Sequence, residues 1–348
     1  MASDRPPRPA TQSDVAREVG VSRTLVSFAF RGAPGVSDET KQAIFAAAKR
    51  LGYRPNAVAA DLARKHRSAV GLYLLDIRNE IYADILSGVR TALSQEPNRL
   101  ILSVSRSVDG EDRGAVESLI EARVGIIIAA TLLDPDEAVH EMAASVPLVS
   151  VTRPVAGVDS VYSDDSFGAR AAVEHLLALG HTRIAHLAGP AHDGHVVRRR
   201  SYEQAMRRAG LAPQTLCADD FTQESGHRAA ARLLGQADRP TAIFCHNDQL
   251  ALGTREAAYA MGLSIPRDLS LIGYDNSRTA GLHGIDLTSV DLHAARLGEA
   301  AGQGCPGTPP QPRGTGCRPP FHSPPGGAEL DGASRVRFPR IRRRVRRR

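Results

Sequence analysis

Two groups of side chains stand at spacings that could do chemistry. The first is Arg23, Thr24, Ser27 and Phe28, within "VSRTLVSFAFRG". Their i, i+1, i+4, i+5 spacing sets all four on one stripe of a helix, turned away from the apolar Leu25, Val26 and Ala29. Such a stripe can present an arginine fork and a threonine to base edges in a DNA major groove. The second group closes short apolar runs: Asn247 and Asp248 end "AIFCHND", Asp275 and Asn276 end "LIGYDN", and Arg198 follows "LAGP". Carboxylates and guanidiniums each bind two neighbouring hydroxyls, so Arg198, Asn247 and Asp275 could hold a small polar ligand. Each also has a plainer use. Asn247 and Asp275 could cap helices that follow strands, and Arg198 lies in the basic run "RRRSY".

Other chemistries are poorly supported. No GxGxxG, Walker A or GxSxG pattern occurs, which argues against dinucleotide, triphosphate and nucleophile-elbow sites. His181, His186, His192, His195 and His246 lack metal spacing, and Cys217, Cys245, Cys305 and Cys317 form no CxxC pair. No cofactor or metal is expected, and the cysteines read as reduced thiols. An enzyme on a doubly wound fold is the weaker alternative, because no nucleophile stands beside a base. No apolar run approaches the roughly 20 residues of a membrane span, and "MASDRPPRPA" lacks a signal-peptide core. A cytoplasmic protein is expected, which disfavours a secreted solute-binding protein.

The elements that must position these groups follow from periodicity and punctuation. Val15, Ala16 and Val19 share one side of a helix over about Ser13–Val19. Gly20 supplies a sharp turn, Val21 plugs the corner, and Ser22 caps the next helix. A third helix starts at Ser37 and closes at Gly52. In "YRPNAVAADLARK", Pro55 breaks the chain and Asn56 can cap a short helix too poor in apolar residues to stand alone.

From Ala69 onward, short β-branched runs alternate with helical stretches. "AVGLYLLD", "LILSVS", "GIIIAAT" and "PLVSVT" come first; after "SVYSDD", the runs "TRIAHLAGP", "TAIFCHND" and "LSLIGYDN" repeat the pattern. Continuous apolar runs mark buried parallel strands, so the fold class is α/β, with a doubly wound body of two lobes. Ligands of such sheets bind at the C-terminal ends of strands.

"TSVDLHAARLGEAA" reads as a helix beginning, after which the pattern fails. Residues 302–348 hold 9 Pro and 8 Gly, and 9 of the last 14 residues are Arg. No periodic segment forms there, and a disordered tail is expected. Two accounts fit it: a basic arm that adds non-specific DNA affinity, or the product of a reading-frame shift in a GC-rich gene, which we favour. Charge follows the same division. Residues 1–65 carry net +5, 302–348 net +9 and the middle −8. A basic head on an acidic body fits a nucleic-acid module joined to something with another partner. Four segments result: head 1–55, hinge 56–68, body 69–301 and tail 302–348.

Residues 11–65 resemble the head of the lactose-repressor/galactose-repressor (LacI/GalR) family of transcription regulators. The likeness rests on "DVAREVGVSRTLVS", "VSDETKQAIFAAAKRLGYRPN" and the hinge. It continues to about residue 300, where the body is also similar to periplasmic sugar-binding proteins. The resemblance implies a homodimeric repressor that binds a pseudo-palindromic operator in double-stranded DNA under control of a sugar-like effector. It implies that Arg23 and Thr24 read bases, that Thr11, Ser13, Ser27, Arg31, Ser37, Thr40 and Asn56 hold phosphates, and that Leu62 wedges into the minor groove. It makes Arg198, Asn247 and Asp275 the polar clamp on the effector and sets Phe221 over it, with Tyr82, Asp165 and Tyr162 as weaker candidates. The chain departs from the family at Phe28, where an arginine is usual. Its ring either packs on a thymine methyl or turns back onto Phe30 and the "RGAPG" loop.

Overall fold

The structure, a computed structural model, describes residues 8, 10–54, 69–95, 99–105, 113–190 and 196–304, and the dipeptides 328–329 and 336–337. Two compact units result, Met1–Arg67 and Ser68–Arg348. The hinge segment 56–68, with Asn56 and Leu62, lies outside the described residues.

The first unit holds α1 (Gln12–Val19), α2 (Arg23–Arg31) and α3 (Asp38–Leu51). Each starts at a hydroxyl: Thr11, Ser22 and Ser37 accept the N–H groups of Asp14, Leu25 and Thr40. Each ends on a left-handed glycine, Gly20, Gly32 or Gly52, which gives its chain reversal without Cβ strain. Val15, Ala16, Val26, Ala29, Val36, Ile44, Ala47 and Ala48 fill the core, and Val21 packs against them at the turn.

The second unit is an α/β body of two lobes. The first lobe contains β1 (Ala69–Leu74), α4 (Glu80–Ala92), β2 (Arg99–Val104), α5 (Arg113–Glu121), β3 (Ile126–Ala130), α6 (Asp136–Ser145), β4 (Leu148–Val151) and β5 (Asp159–Tyr162). The second contains α7 (Asp165–Ala178), β6 (Ile184–Ala188), α8 (Val196–Arg208), β7 (Gln214–Cys217), α9 (Gln223–Leu234), β8 (Ala242–Cys245), α10 (Asp248–Ala260), β9 (Ser270–Asp275) and β10 (Thr288–Asp291). Strands run in the order β5-β4-β3-β1-β2 in one sheet and β10-β9-β8-β6-β7 in the other, all parallel. Helices on both faces account for the wholly buried β1, β3, β4, β6 and β8.

The chain passes from first lobe to second after β5 and returns after β10. At these crossings Ser163 Oγ donates to the Leu292 carbonyl at 2.7 Å. The returning helix α11 (Ala294–Gln303) then packs on α4 of the first lobe. The approach is backbone on backbone: a Cβ on Gly88 would overlap the Ala295 carbonyl, and one on Gly298 the Ile85 carbonyl.

The structure corrects the sequence reading in two places. Thr288–Asp291, expected to open a helix, is a strand beside β9, and the helix starts only at Ala294. Three β-branched or small residues bounded by the Asp291–His293 turn suit a buried strand edge better than a first helical turn. The tail, expected to form no element, supplies β11 (Ala328–Glu329), parallel to β5, and β12 (Val336–Arg337), antiparallel to β10. Each adds to the outer strand of a sheet, where unpaired N–H and C=O groups accept almost any extended segment. Among the described residues no helix is long and apolar enough to cross a membrane.

Candidate functional site

The head presents the stripe that its sequence lays out. Arg23 and Thr24 open α2 fully exposed, and Ser27 and Phe28 follow one turn later, half-buried. The Phe28 ring packs against the head's core, and the Arg31 guanidinium lies 5.1 Å from its centroid while donating through Nε to the Ser27 carbonyl at 3.2 Å. Phe30, by contrast, stacks on Phe45 and Tyr53.

The hydroxyls assigned to phosphates stand at helix starts. Thr11 Oγ1 donates to Asp14 Oδ2 at 2.6 Å in a capping box, and these contacts hold the Asp14 carboxyl down at about 2. Ser37 and Thr40 share a 2.8 Å hydroxyl contact at the start of α3, and Ser13 is exposed. Helix N-termini of this kind suit phosphate oxygens.

The body's cleft gathers all five predicted ligand residues. Tyr82, Arg198, Phe221, Asn247 and Asp275 line it, as does Asp165. Tyr162 is not among the lining residues. The space leaves about 200 Å³ for the centres of water-sized spheres, which suits a small molecule and not a protein segment.

Arg198 is the electrostatic centre of the second lobe's wall. Its Nη1 donates to the His246 carbonyl at 2.7 Å, and its guanidinium carbon lies 3.7 Å from the Tyr274 ring centroid. Asp165 Oδ2 sits 3.1 Å from Nε, close enough for an ion pair although off the N–H direction. Tyr274 Oη donates 2.8 Å to the other Asp165 oxygen. Burial disfavours the guanidinium's charge, but Asp165, then Tyr274 and Asp275, hold its pKa above the ordinary value.

Asp275 ends β9 with φ 124° and 6% exposure, and its Oδ2 has no hydrogen-bond partner. Burial and the nearby Asp248 carboxyl push it well above the usual carboxylate range, against the pull of Arg198. Asp248 lies just behind the cleft wall, accepting from Ser277 N–H at 2.8 Å and Ser289 Oγ at 2.6 Å. Asn247 caps α10, its Oδ1 taking the Leu250 N–H at 2.9 Å, while Nδ2 reaches the Phe221 carbonyl at 3.4 Å. The plainer use of Asn247 is therefore real, and it faces the cleft as well. The Phe221 ring lies 5.2 Å from His246 and occupies space that a Cβ on Gly189 would take.

Sequence reasoning missed the first lobe's half of the cleft: Asp76, Arg78, Asn79, Thr131, Thr152 and Arg153. Each follows the C-terminal end of β1, β3 or β4, so the strand-end rule applied to the second lobe would have found them here. A further feature was beyond any sequence signal. Thr131, Thr152, Asp275 and Asn276 all have positive φ, and four non-glycine residues in that region around one cleft mark stored backbone strain of the kind found at binding sites. Among the described residues no group of acidic, histidine or cysteine side chains could hold a metal.

The chain matches two family descriptions: "Bacterial regulatory proteins, lacI family" over residues 11–56 and "Periplasmic binding protein-like domain" over 173–305. It is 34% identical over 284 residues to catabolite control protein A of Priestia megaterium, covering 80% of this chain and 86% of that one. Among solved structures it is similar to the lac repressor dimer bound to operator and the anti-inducer ONPF. The TM-score is 0.72 at 29% identity, over 84% of this chain and 91% of that one. The transcriptional regulator CelR in complex with cellobiose gives a TM-score of 0.60 at 29% identity, over the same shares.

Proposed function

The chain belongs to the lacI family of bacterial regulatory proteins, and on that premise we propose that its head holds an operator whose occupancy is set by a small polar effector in the body's cleft. It is a DNA-binding transcriptional regulator and not an enzyme, since the relatives it matches are regulators. Repression is the reading we adopt, carried out by a homodimer whose two heads occupy half-sites of a pseudo-palindrome about one helical turn apart. The segment after residue 55 is the hinge between head and body, with Asn56 on phosphate and Leu62 in the minor groove.

In the head, Arg23 and Thr24 read bases, while Thr11, Ser13, Ser27, Arg31, Ser37 and Thr40 hold the backbone. Phe28 positions Arg31 through their stacking and offers its ring edge to the groove. In the cleft, Asp275 and Asn247 take ligand hydroxyls, Arg198 orders the wall behind them, and Phe221 and Tyr82 flank the ligand. The observation that carries this reading is the buried Asp275 carboxylate oxygen without a partner, facing a cleft sized for a small molecule. The solved relative with cellobiose bound supports a sugar-like effector.

Binding-site selection from random duplexes, followed by fluorescence anisotropy, tests the head. The selected sequence should be a pseudo-palindrome, and Arg23→Ala should cost on the order of 1–3 kcal/mol on it with little loss on random DNA. Phe28→Arg should change the preferred base at one position of each half-site. Equal loss on selected and random DNA would refute base reading by Arg23.

A further inference from the structure

The charges around the cleft are unevenly used, and this restricts what can enter it. Three guanidiniums line it, and each is already engaged. Arg78 lays Nε and Nη2 on the two oxygens of Asp76, both at 3.0 Å. Arg153, 3% exposed, donates to the Leu132 and Asp134 carbonyls at 2.9 and 2.6 Å and to the Asp136 carboxylate. Arg198 is held by Asp165, His246 and Tyr274. On the acidic side, Asp275 keeps an unpartnered buried oxygen, with Asp248 behind it.

Helix N-termini also open on the cleft, and these ordinarily attract anions. Here each one is already answered by the chain itself. Asp165, Glu224 and Asp248 stand in the first turns of α7, α9 and α10, and Glu80 stands in that of α4. Asp220 and Glu224 of the second lobe lie near Arg78 at the cleft's rim and add negative potential there. An incoming phosphate or carboxylate would meet no free cation and one uncompensated carboxylate.

We propose that the cleft takes an uncharged or cationic ligand bearing hydroxyl or ammonium donors, and excludes phosphorylated and carboxylated counterparts of the same skeleton. The inference rests on the effector reading above and narrows it. Asp275 selects by acceptance: a ligand O–H or N–H supplies the donor that its Oδ2 lacks, whereas an anion sets like charge against it in a low-dielectric wall.

The test uses the full chain and a matched set of sugars. Common hexoses and disaccharides, their amino-sugar forms, their 6-phosphates and their uronic acids are screened by thermal shift, and binders are measured by titration calorimetry. Stabilising ligands should come from the neutral and amino groups, and the phosphate or uronate of any binder should bind at least about 100-fold more weakly. Asp275→Asn should weaken the neutral binder by about 10- to 100-fold, the loss of a hydrogen bond to a charged group, while narrowing its margin over the phosphate. A phosphate or uronate that binds as tightly as its neutral parent overturns this inference and leaves the effector reading standing. Binding by no member of any group overturns the effector reading and this inference with it.

Discussion

Arg198→Met separates two uses of the residue at the centre of the cleft wall. Methionine matches much of the side chain's volume and removes the charge, so the change leaves three groups without a partner. Asp165 loses its ion pair at 3.1 Å but keeps the Tyr274 hydroxyl at 2.8 Å. The His246 carbonyl loses its donor at 2.7 Å, and the Tyr274 face loses a cation at 3.7 Å. Removing one partner of a buried ion pair costs about 3–5 kcal/mol, and the surviving Tyr274 donor places this case at about the lower end of that range. In a body of this size a loss of about 3 kcal/mol lowers Tm by roughly 6–12 °C. Urea denaturation read by circular dichroism, with the m-value checked for constancy, measures it. Arg198→Lys, which keeps charge but not the fork, should recover part of the loss. A loss below about 1 kcal/mol, the range of an exposed ion pair, would refute the view of Arg198 as the residue that holds this wall together.

Two further outcomes follow from the packing and the buried acids. Burial pushes Asp248 up to about 6 from 3.8. A raised folded-state value means stability present below the unfolded pKa and lost as pH climbs to the folded one, so the wild type should lose about 3 kcal/mol from this group between about pH 4 and 6. Asp248→Asn should flatten that loss in urea melts across pH 4–8, and an unchanged pH profile would show that the carboxyl titrates normally. Gly298→Ala sets two effects against each other. Alanine favours a helix interior by about 1 kcal/mol, but its Cβ would overlap the Ile85 carbonyl of α4, and overpacking of that kind costs about 1–3 kcal/mol. The variant should melt lower than wild type, and a higher Tm would mean that α11 does not pack on α4 at this point.

Much of the fold was legible because its cues are local. Hydroxyl caps at Thr11, Ser22 and Ser37 and glycine stops at Gly20, Gly32 and Gly52 fix the head's three helices, and all depend on neighbours within four residues. The parallel strands announce themselves as apolar runs because helices cover both faces. β7 (Gln214–Cys217) and β10 were missed for the complementary reason. β7 is an edge strand with half-exposed residues, and β10 is four residues long, so neither shows a continuous apolar run. Their strand character comes from a neighbour's hydrogen bonds, which sequence does not display.

The site divides along the same line. Asn247 and Asp275 could be found because each ends a recognisable strand with a side chain too polar for its surroundings. What they do there depends on partners far away in sequence. Ser289 Oγ donates to Asp248 and accepts the Asn276 N–H at 3.0 Å, and Gly273 leaves the room that Asp248 Oδ1 fills. This lattice fixes the loop after β9 so that Asp275 turns to the cleft at φ 124° without a donor of its own. Across the cleft, Glu80 at the start of α4 accepts from Thr279 N–H at 3.0 Å and Thr279 Oγ1 at 2.5 Å. Its carboxyl is partly buried, which opposes ionisation, but the Thr279 donors and Arg278 hold it below the usual range. The loop that carries Asp275 is therefore the one that touches the other lobe. A ligand that shifts Asp275 must pull on Ser277 and Thr279 and so on the first turn of α4, whose preceding residues Asp76, Arg78 and Asn79 line the same cleft. Occupancy and lobe position are thus linked through four residues of backbone, and that link is the physical route by which a small molecule in the body could alter how the lobes are held.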